Sequence, residues 1–287
     1  MRESSNPVLR SLSKQSPAQG GYATFGNAAA AGAAGMAHQG YDQPYTQQQG
    51  VGRPLTIDDV VQKTGITLGV VILSAVVSYF LVDAGAPTYP LAMPLMLIGA
   101  IGGLVMVMIA SFGRKQDNPA IVLTYAVLEG MFVGSISFVF ANMVVSGISA
   151  GALISQAVLG TLGVFFGMLV VYKTGAIRVT PKLTRMVVAG LFGVLFLALG
   201  NFLLSIFGVN GGEGLGLRSG GAIAIIFSLV CIGLAAFMFL IDFDQADQAI
   251  RAGAPEKAAW GIALGLTVTL VWLYVEILRL LSYFNQD

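Results

Sequence analysis

Apolar residues gather in seven long runs, at roughly 65–82, 91–112, 120–145, 151–172, 186–209, 220–243 and 262–284. At 1.5 Å of rise per residue, about 20 helical residues cross a hydrocarbon core about 30 Å thick, so each run is long enough to span a bilayer. None alternates with the period of two that a barrel strand shows. The pattern predicts an all-α polytopic membrane protein, a seven-transmembrane-helix bundle occupying residues 55–287. The segments between runs carry turn and cap residues, such as Asp83-Ala84-Gly85-Ala86-Pro87, Asp117-Asn118-Pro119, the stretch around Pro181, Asn210-Gly211-Gly212 and Gly253-Ala254-Pro255. Before the first run, Thr56-Ile57-Asp58-Asp59 has the form of a capping box and predicts a short helix over 56–64 leading into the membrane.

Residues 1–54 show no such periodicity. They are rich in Gly, Ala, Gln, Ser and Tyr, and read as a disordered tail. A secretory signal needs an apolar core of about 7–15 residues behind a basic start, which the tail lacks, so it is expected to remain uncleaved on the cytoplasmic side.

Composition strengthens this picture: of 287 residues, 56% are hydrophobic and only 10% charged. The net charge of +1 offers no broad basic field, and no nucleic-acid-binding motif is present. Where the charges fall is more telling. With the N-terminus inside, the cytoplasmic segments hold Arg2, Arg10, Lys14, Arg53, Lys63, Arg114, Lys115, Lys173, Arg178, Lys182, Arg185, Arg251 and Lys257, which is 13 of the 15 basic residues. Arg218 alone falls in a loop on the other side, and Arg279 lies within the last run. The positive-inside rule therefore orients the chain N-terminus in and C-terminus out. That is the reverse of the usual seven-helix receptor, and the last run has no lysine to carry retinal.

The chemistry available is narrow. The single histidine, His38, is in the tail, and the single cysteine, Cys231, is in an apolar run, so neither a Ser-His or Cys-His nucleophile nor a CxxC zinc cluster has its residues here. No Gly-x-x-x-x-Gly-Lys-Ser/Thr phosphate loop occurs. An enzyme is not expected, and no cofactor. Small-xxx-small pairs, Gly99/Gly103, Gly130/Gly134, Gly163/Gly167 and Gly261/Gly265, predict close helix packing within one bundle.

Three acids interrupt the apolar runs: Glu129, Asp242 and Glu276. An ionised side chain at membrane depth costs at least about 2.5–3.5 kcal/mol, so each is a functional candidate whose partner must be sought. Asp242 is flanked by Phe239, Leu240, Ile241 and Phe243. Glu276 is three residues before Arg279, and a local ion pair that anchors the last helix is the plainer reading of that spacing. Asp244 and Asp247 fit solvated acids at a helix end. Counting residues does not bring Asp242 and Glu276 level, so contact between them requires tilt, a broken sixth helix, or a seventh helix that starts below the membrane, for which the long run from Ala258 leaves room. If they met, two carboxylates in a low-dielectric setting would share a proton, with a cation such as Ca²⁺ as competitor for the same oxygens, making a pH-dependent latch.

The segments Phe239-Leu240-Ile241-Asp242-Phe243-Asp244-Gln245, Leu273-Tyr274-Val275-Glu276-Ile277-Leu278-Arg279-Leu280-Leu281 and Tyr125-Ala126-Val127-Leu128-Glu129-Gly130 resemble the transmembrane Bax inhibitor motif (TMBIM) family, in its bacterial YccA-like branch. The resemblance covers residues 56–284. It implies seven helices with the last at the centre, and a pH-regulated cation (Ca²⁺ and/or H⁺) leak in the bacterial plasma (inner) membrane. The gate and pH-sensing pair would be Asp242 and Glu276, also the Ca²⁺ ligands, with Glu129, Asp244 and Arg279 as auxiliary candidates. Against the family pattern Leu-Tyr-x-Asp-Ile-x-Asn-Leu, Glu276 stands for Asp, and Arg279 for a neutral residue. Either Asp242 or Asp244 answers to the sixth-helix acid. The alternative expectation is a non-conducting membrane interaction protein that restrains a membrane protease or a stress-response partner. The expected partners are the bilayer, and a membrane protein under the second reading, with the chain itself a monomer or weak homo-oligomer.

Overall fold

The structure is a computed structural model that describes residues 53–85, 89–145 and 148–285. The tail expected to be disordered falls outside the described residues, apart from Arg53 and Pro54. Seven long helices follow in order: α1 (Ile57–Asp83), α2 (Ala92–Phe112), α3 (Pro119–Val139), α4 (Ala150–Thr174), α5 (Pro181–Ile206), α6 (Ala222–Arg251) and α7 (Ala259–Phe284). All seven are long and apolar enough to cross a membrane. Among the described residues there is no strand, only an isolated bridge between Pro54 and Pro255.

Helix starts follow local chemistry. The capping box at the head of α1 is formed, the Asp59 amide donating to the Thr56 hydroxyl and the Thr56 amide to the Asp59 carboxylate at 2.9 Å. No break follows it, so the lead-in helix and the first span are one helix of 27 residues. Asn118 caps α3 and Thr180 caps α5, each followed by a proline at N1, where the missing amide hydrogen costs nothing. α5 thus begins five residues earlier than hydropathy alone suggests. α3 ends in a π-turn, Phe140–Val144. The largest departure is α6, which runs on to Arg251 and has 30 residues, or about 45 Å. Asp242 accordingly sits more than two turns before its end.

The bundle is built around α7. Buried residues run round most of its circumference, from Ala259 to Ser282, and it packs against α1, α3, α4 and α6. α1, α2 and α3 form a tight layer through glycine. A Cβ on Gly99 would lie 2.5 Å from the Phe132 amide nitrogen, one on Gly130 would lie 2.5 Å from the Val71 carbonyl oxygen, and one on Gly134 would collide with the Ala75 carbonyl. Ser74 and Ser78 donate across this contact to the carbonyls of Val127 and Met131, at 2.7 and 2.9 Å. Gly163 and Gly167 behave otherwise, with nothing within 4 Å of a Cβ on either. That pair faces outward, where spacing alone predicted contact.

α5 is the peripheral helix. Only Val187 and Asn201 are buried on it, and the Asn201 side-chain oxygen holds the following connection by accepting from the Leu215 amide at 2.8 Å. At the opposite end of the bundle, the segment before α1 is strapped to the α6–α7 turn. The Leu55 amide donates to the Ala254 carbonyl at 2.8 Å, and the Glu256 amide to the Arg53 carbonyl at 3.0 Å. Leu55 is buried in a cluster with Phe239, Phe243 and Ala259. Arg53, Pro54 and Leu55 are thus fastened to the helical unit.

Candidate functional site

Two polar centres lie between α6 and α7, at different depths. The first is Asp242. Its side chain is 8% exposed and points from α6 to α7, where the Thr269 hydroxyl donates to Oδ2 at 2.8 Å, with the Gly265 carbonyl a second acceptor for that hydroxyl at 3.2 Å. Gly265 lies beside the carboxylate, where a Cβ would meet Oδ1 at 4.0 Å, an ordinary contact. Phe239 and Phe243 on the same helix pack edge-on against Phe165 of α4, with centroids 5.3 and 5.5 Å apart, and wall the site on that side. Among the described residues no cation is paired with Asp242.

The second centre is Glu276 on α7, where Arg279 Nη1 donates to Oε1 at 2.6 Å and the Ser228 hydroxyl of α6 reaches Oε2 at 3.4 Å. The Glu276 and Arg279 side chains are 5% and 8% exposed. The spacing of three residues on one helix makes this pair, the alternative that the sequence offered to a gate role for Glu276. Desolvating both charges costs several kcal/mol per ion, so the pair is held by geometry and by its own mutual compensation.

Asp242 and Glu276 are not hydrogen-bonded to each other. Thr269 marks the level of Asp242 on α7, and Glu276 lies seven residues beyond it, about 10 Å along the axis. α6 shows no break that would cancel the offset. Each acid has found a separate partner: a hydroxyl for Asp242, a guanidinium for Glu276.

The auxiliary candidates separate as clearly. Asp244 points away from α7 and accepts from Gln248, one turn on, at 2.6 Å. Asp247 pairs with exposed Arg251 at 2.9 Å, as a solvated helix end would. Glu129 is half-buried on α3 and turned to α2, so close that a Cβ on Gly103 would stand 2.6 Å from its Oε2. It has no hydrogen-bond or ionic partner among the described residues. Tyr125, one turn before it, shares a cluster with Leu264, the neighbour of Gly265. No group of three or more His, Cys, Asp or Glu side chains able to hold a metal occurs among the described residues.

Sequence reasoning passed over Thr269 and Ser228, the hydroxyls that partner the two acids. The signal was present: Thr269 precedes Glu276 by seven residues, two helical turns, on the same face of an otherwise apolar helix.

Comparison with curated proteins found no match. The family model described as Bax inhibitor 1 like matches residues 6–286, nearly the whole chain. Seven helices gathered around the last, with acids on the final two, are what the resemblance led us to expect, and on that match the chain belongs to the Bax inhibitor 1 like family.

Proposed function

We propose that this protein is a pH-regulated cation leak of the YccA-like kind in a bacterial plasma membrane, N-terminus inside, in which Asp242 is the acid that titrates. One observation carries the reading: a buried carboxylate between the two last helices with a hydroxyl partner and, among the described residues, no counter-ion. A proton or a metal cation completes such a site, and exchange of one for the other makes helix contact depend on pH. Thr269 positions the carboxylate. Glu276 plays a different part from the one its motif position implies, since Arg279 already neutralises it. The pair is a fixed support for the outward half of α7. Asp242 brings one carboxylate and one hydroxyl, and among the described residues no group of three or more His, Cys, Asp or Glu able to hold a metal occurs, which favours H⁺ over tightly held Ca²⁺ as the ion that sets the gate. No catalytic step and no resident cofactor enter this account.

A second reading, a non-conducting protein that restrains a membrane protease or a stress-response partner, draws support from α5. That helix presents Phe192, Phe196, Phe202 and Leu203 outward and buries almost nothing against its own bundle. Flux of H⁺ and Ca²⁺ into protein-bearing vesicles separates the two. Flux that rises or falls with pH is expected; folded protein with no flux at any pH supports the interaction reading instead.

A further inference from the structure

Between α1 and α4 the bundle carries a cavity of about 530 Å³, lined almost wholly by apolar side chains and open sideways. Its rims are exposed, with Ile72 at 61%, Phe80 at 63% and Leu162 at 41%, whereas its floor is closed by Val271 and Tyr274 of the central helix at 6% and 9%. Because α1 and α4 are both membrane-spanning helices, the opening faces hydrocarbon and not water. An apolar cavity of this size does not fill with water, and left empty it forfeits the contacts of its lining.

Its dimensions identify the occupant. The lining runs from Gly151 to Leu162 on α4, about 16 Å, and from Leu68 to Phe80 on α1, about 18 Å. That is the depth of one leaflet, about half of a 30 Å core. At the shallow end, where α1 finishes, the Tyr79 hydroxyl accepts from Asn142 at 3.0 Å in an exposed setting, a polar rim at the level where amphipathic aromatics sit in bilayers. The deep end, at Leu68, Thr161 and Leu270, is reached only through apolar walls. We propose that this groove is a binding slot for one acyl chain of a phospholipid from that leaflet, the headgroup lying at the Tyr79–Asn142 rim.

The slot touches the helix around which the fold is built. Tyr274 at its floor is hydrogen-bonded to Ser137 of α3 at 2.7 Å, so a seated chain spans the gap between α1 and α4 and packs on the α3–α7 contact. This holds whether or not the protein conducts ions.

The test is photolabelling of the full chain in vesicles of phosphatidylcholine bearing a diazirine on one acyl chain, with adducts mapped by tandem mass spectrometry. Adducts on Val271 and Tyr274 are expected, since only a chain inside the groove reaches them. Gly151→Phe and Ser155→Trp place bulk in the groove, the former where nothing lies within 4 Å of the new Cβ. Both variants should lose the floor adducts while keeping those on the outer face of α5 at Phe196 and Phe202, which serve as an internal control for folding and labelling. Wild-type labelling confined to outer faces overturns the proposal, as does floor labelling that both variants retain. Val271 and Tyr274 left without lipid adducts, as they would be with residues 1–52 or a second copy seated in the groove, also overturn it.

Discussion

Replacing Arg279 by Met removes the cation from a carboxylate that stays buried. The N–O distance of 2.6 Å and side-chain exposures of 8% and 5% place this pair far from the solvent-screened regime in which ion pairs contribute little. Breaking such a pair from one side costs about 3–5 kcal/mol, because Glu276 then keeps its charge with the Ser228 hydroxyl at 3.4 Å and the more distant charge of Arg218 in place of a direct ion pair. Removing both charges together, as Glu276→Gln with Arg279→Met, deletes the uncompensated ion and leaves an amide that Ser228 still reaches. The double variant should therefore be more stable than Arg279→Met alone, with a coupling energy of about 2–3 kcal/mol. Reversible unfolding in mixed micelles, followed through the fluorescence of Trp260 and Trp272, measures all three. Effects that add within about 0.5 kcal/mol, or an Arg279→Met variant as stable as wild type, would refute the reasoning.

Other expectations follow from the packing and from Asp242. Gly134→Val should destabilise by about 1–3 kcal/mol or more, because any Cβ meets the Ala75 carbonyl, whereas Gly163→Ala, with open space around it, should be neutral or slightly stabilising in the same unfolding assay. Thr269→Val should cost about 1.5–3 kcal/mol by withdrawing a donor from a buried carboxylate, and Thr269→Ser should restore most of it; equal losses in both would indicate packing rather than hydrogen bonding. Arg53→Ala should change global stability by about 1 kcal/mol or less, since the arginine is 58% exposed, yet speed amide exchange at Leu55 and Glu256, where the strap is fastened. Unchanged exchange there would mean that the strap does not depend on Arg53.

The hydropathy runs carried the fold because crossing a bilayer leaves few solutions for the backbone, and the capping box and the Glu276–Arg279 pair were legible because both are local. What the sequence left open was set by tertiary contact. Thr269 and Ser228 look like ordinary helix-filling residues until α6 and α7 are laid together. Asp242 and Asp244 differ by two positions, hence by more than half a turn, and only the packed bundle shows that Asp242 faces α7 while Asp244 turns to Gln248. Residue counts had already placed Asp242 and Glu276 at different heights; motif position had paired them. The continuous α6 keeps them apart, and Arg279 supplies the partner that Asp242 would otherwise have been.

The central claim, that Asp242 and not an Asp242–Glu276 pair sets the response, is met most directly by ion flux into vesicles from about pH 6 to about pH 8. Wild type, Asp242→Asn and the Glu276→Gln, Arg279→Met double variant would be compared at matched folded protein. The account predicts that Asp242→Asn loses the pH dependence and that the double variant keeps it. A pH response retained in Asp242→Asn, or lost in the double variant while it remains folded, would contradict it.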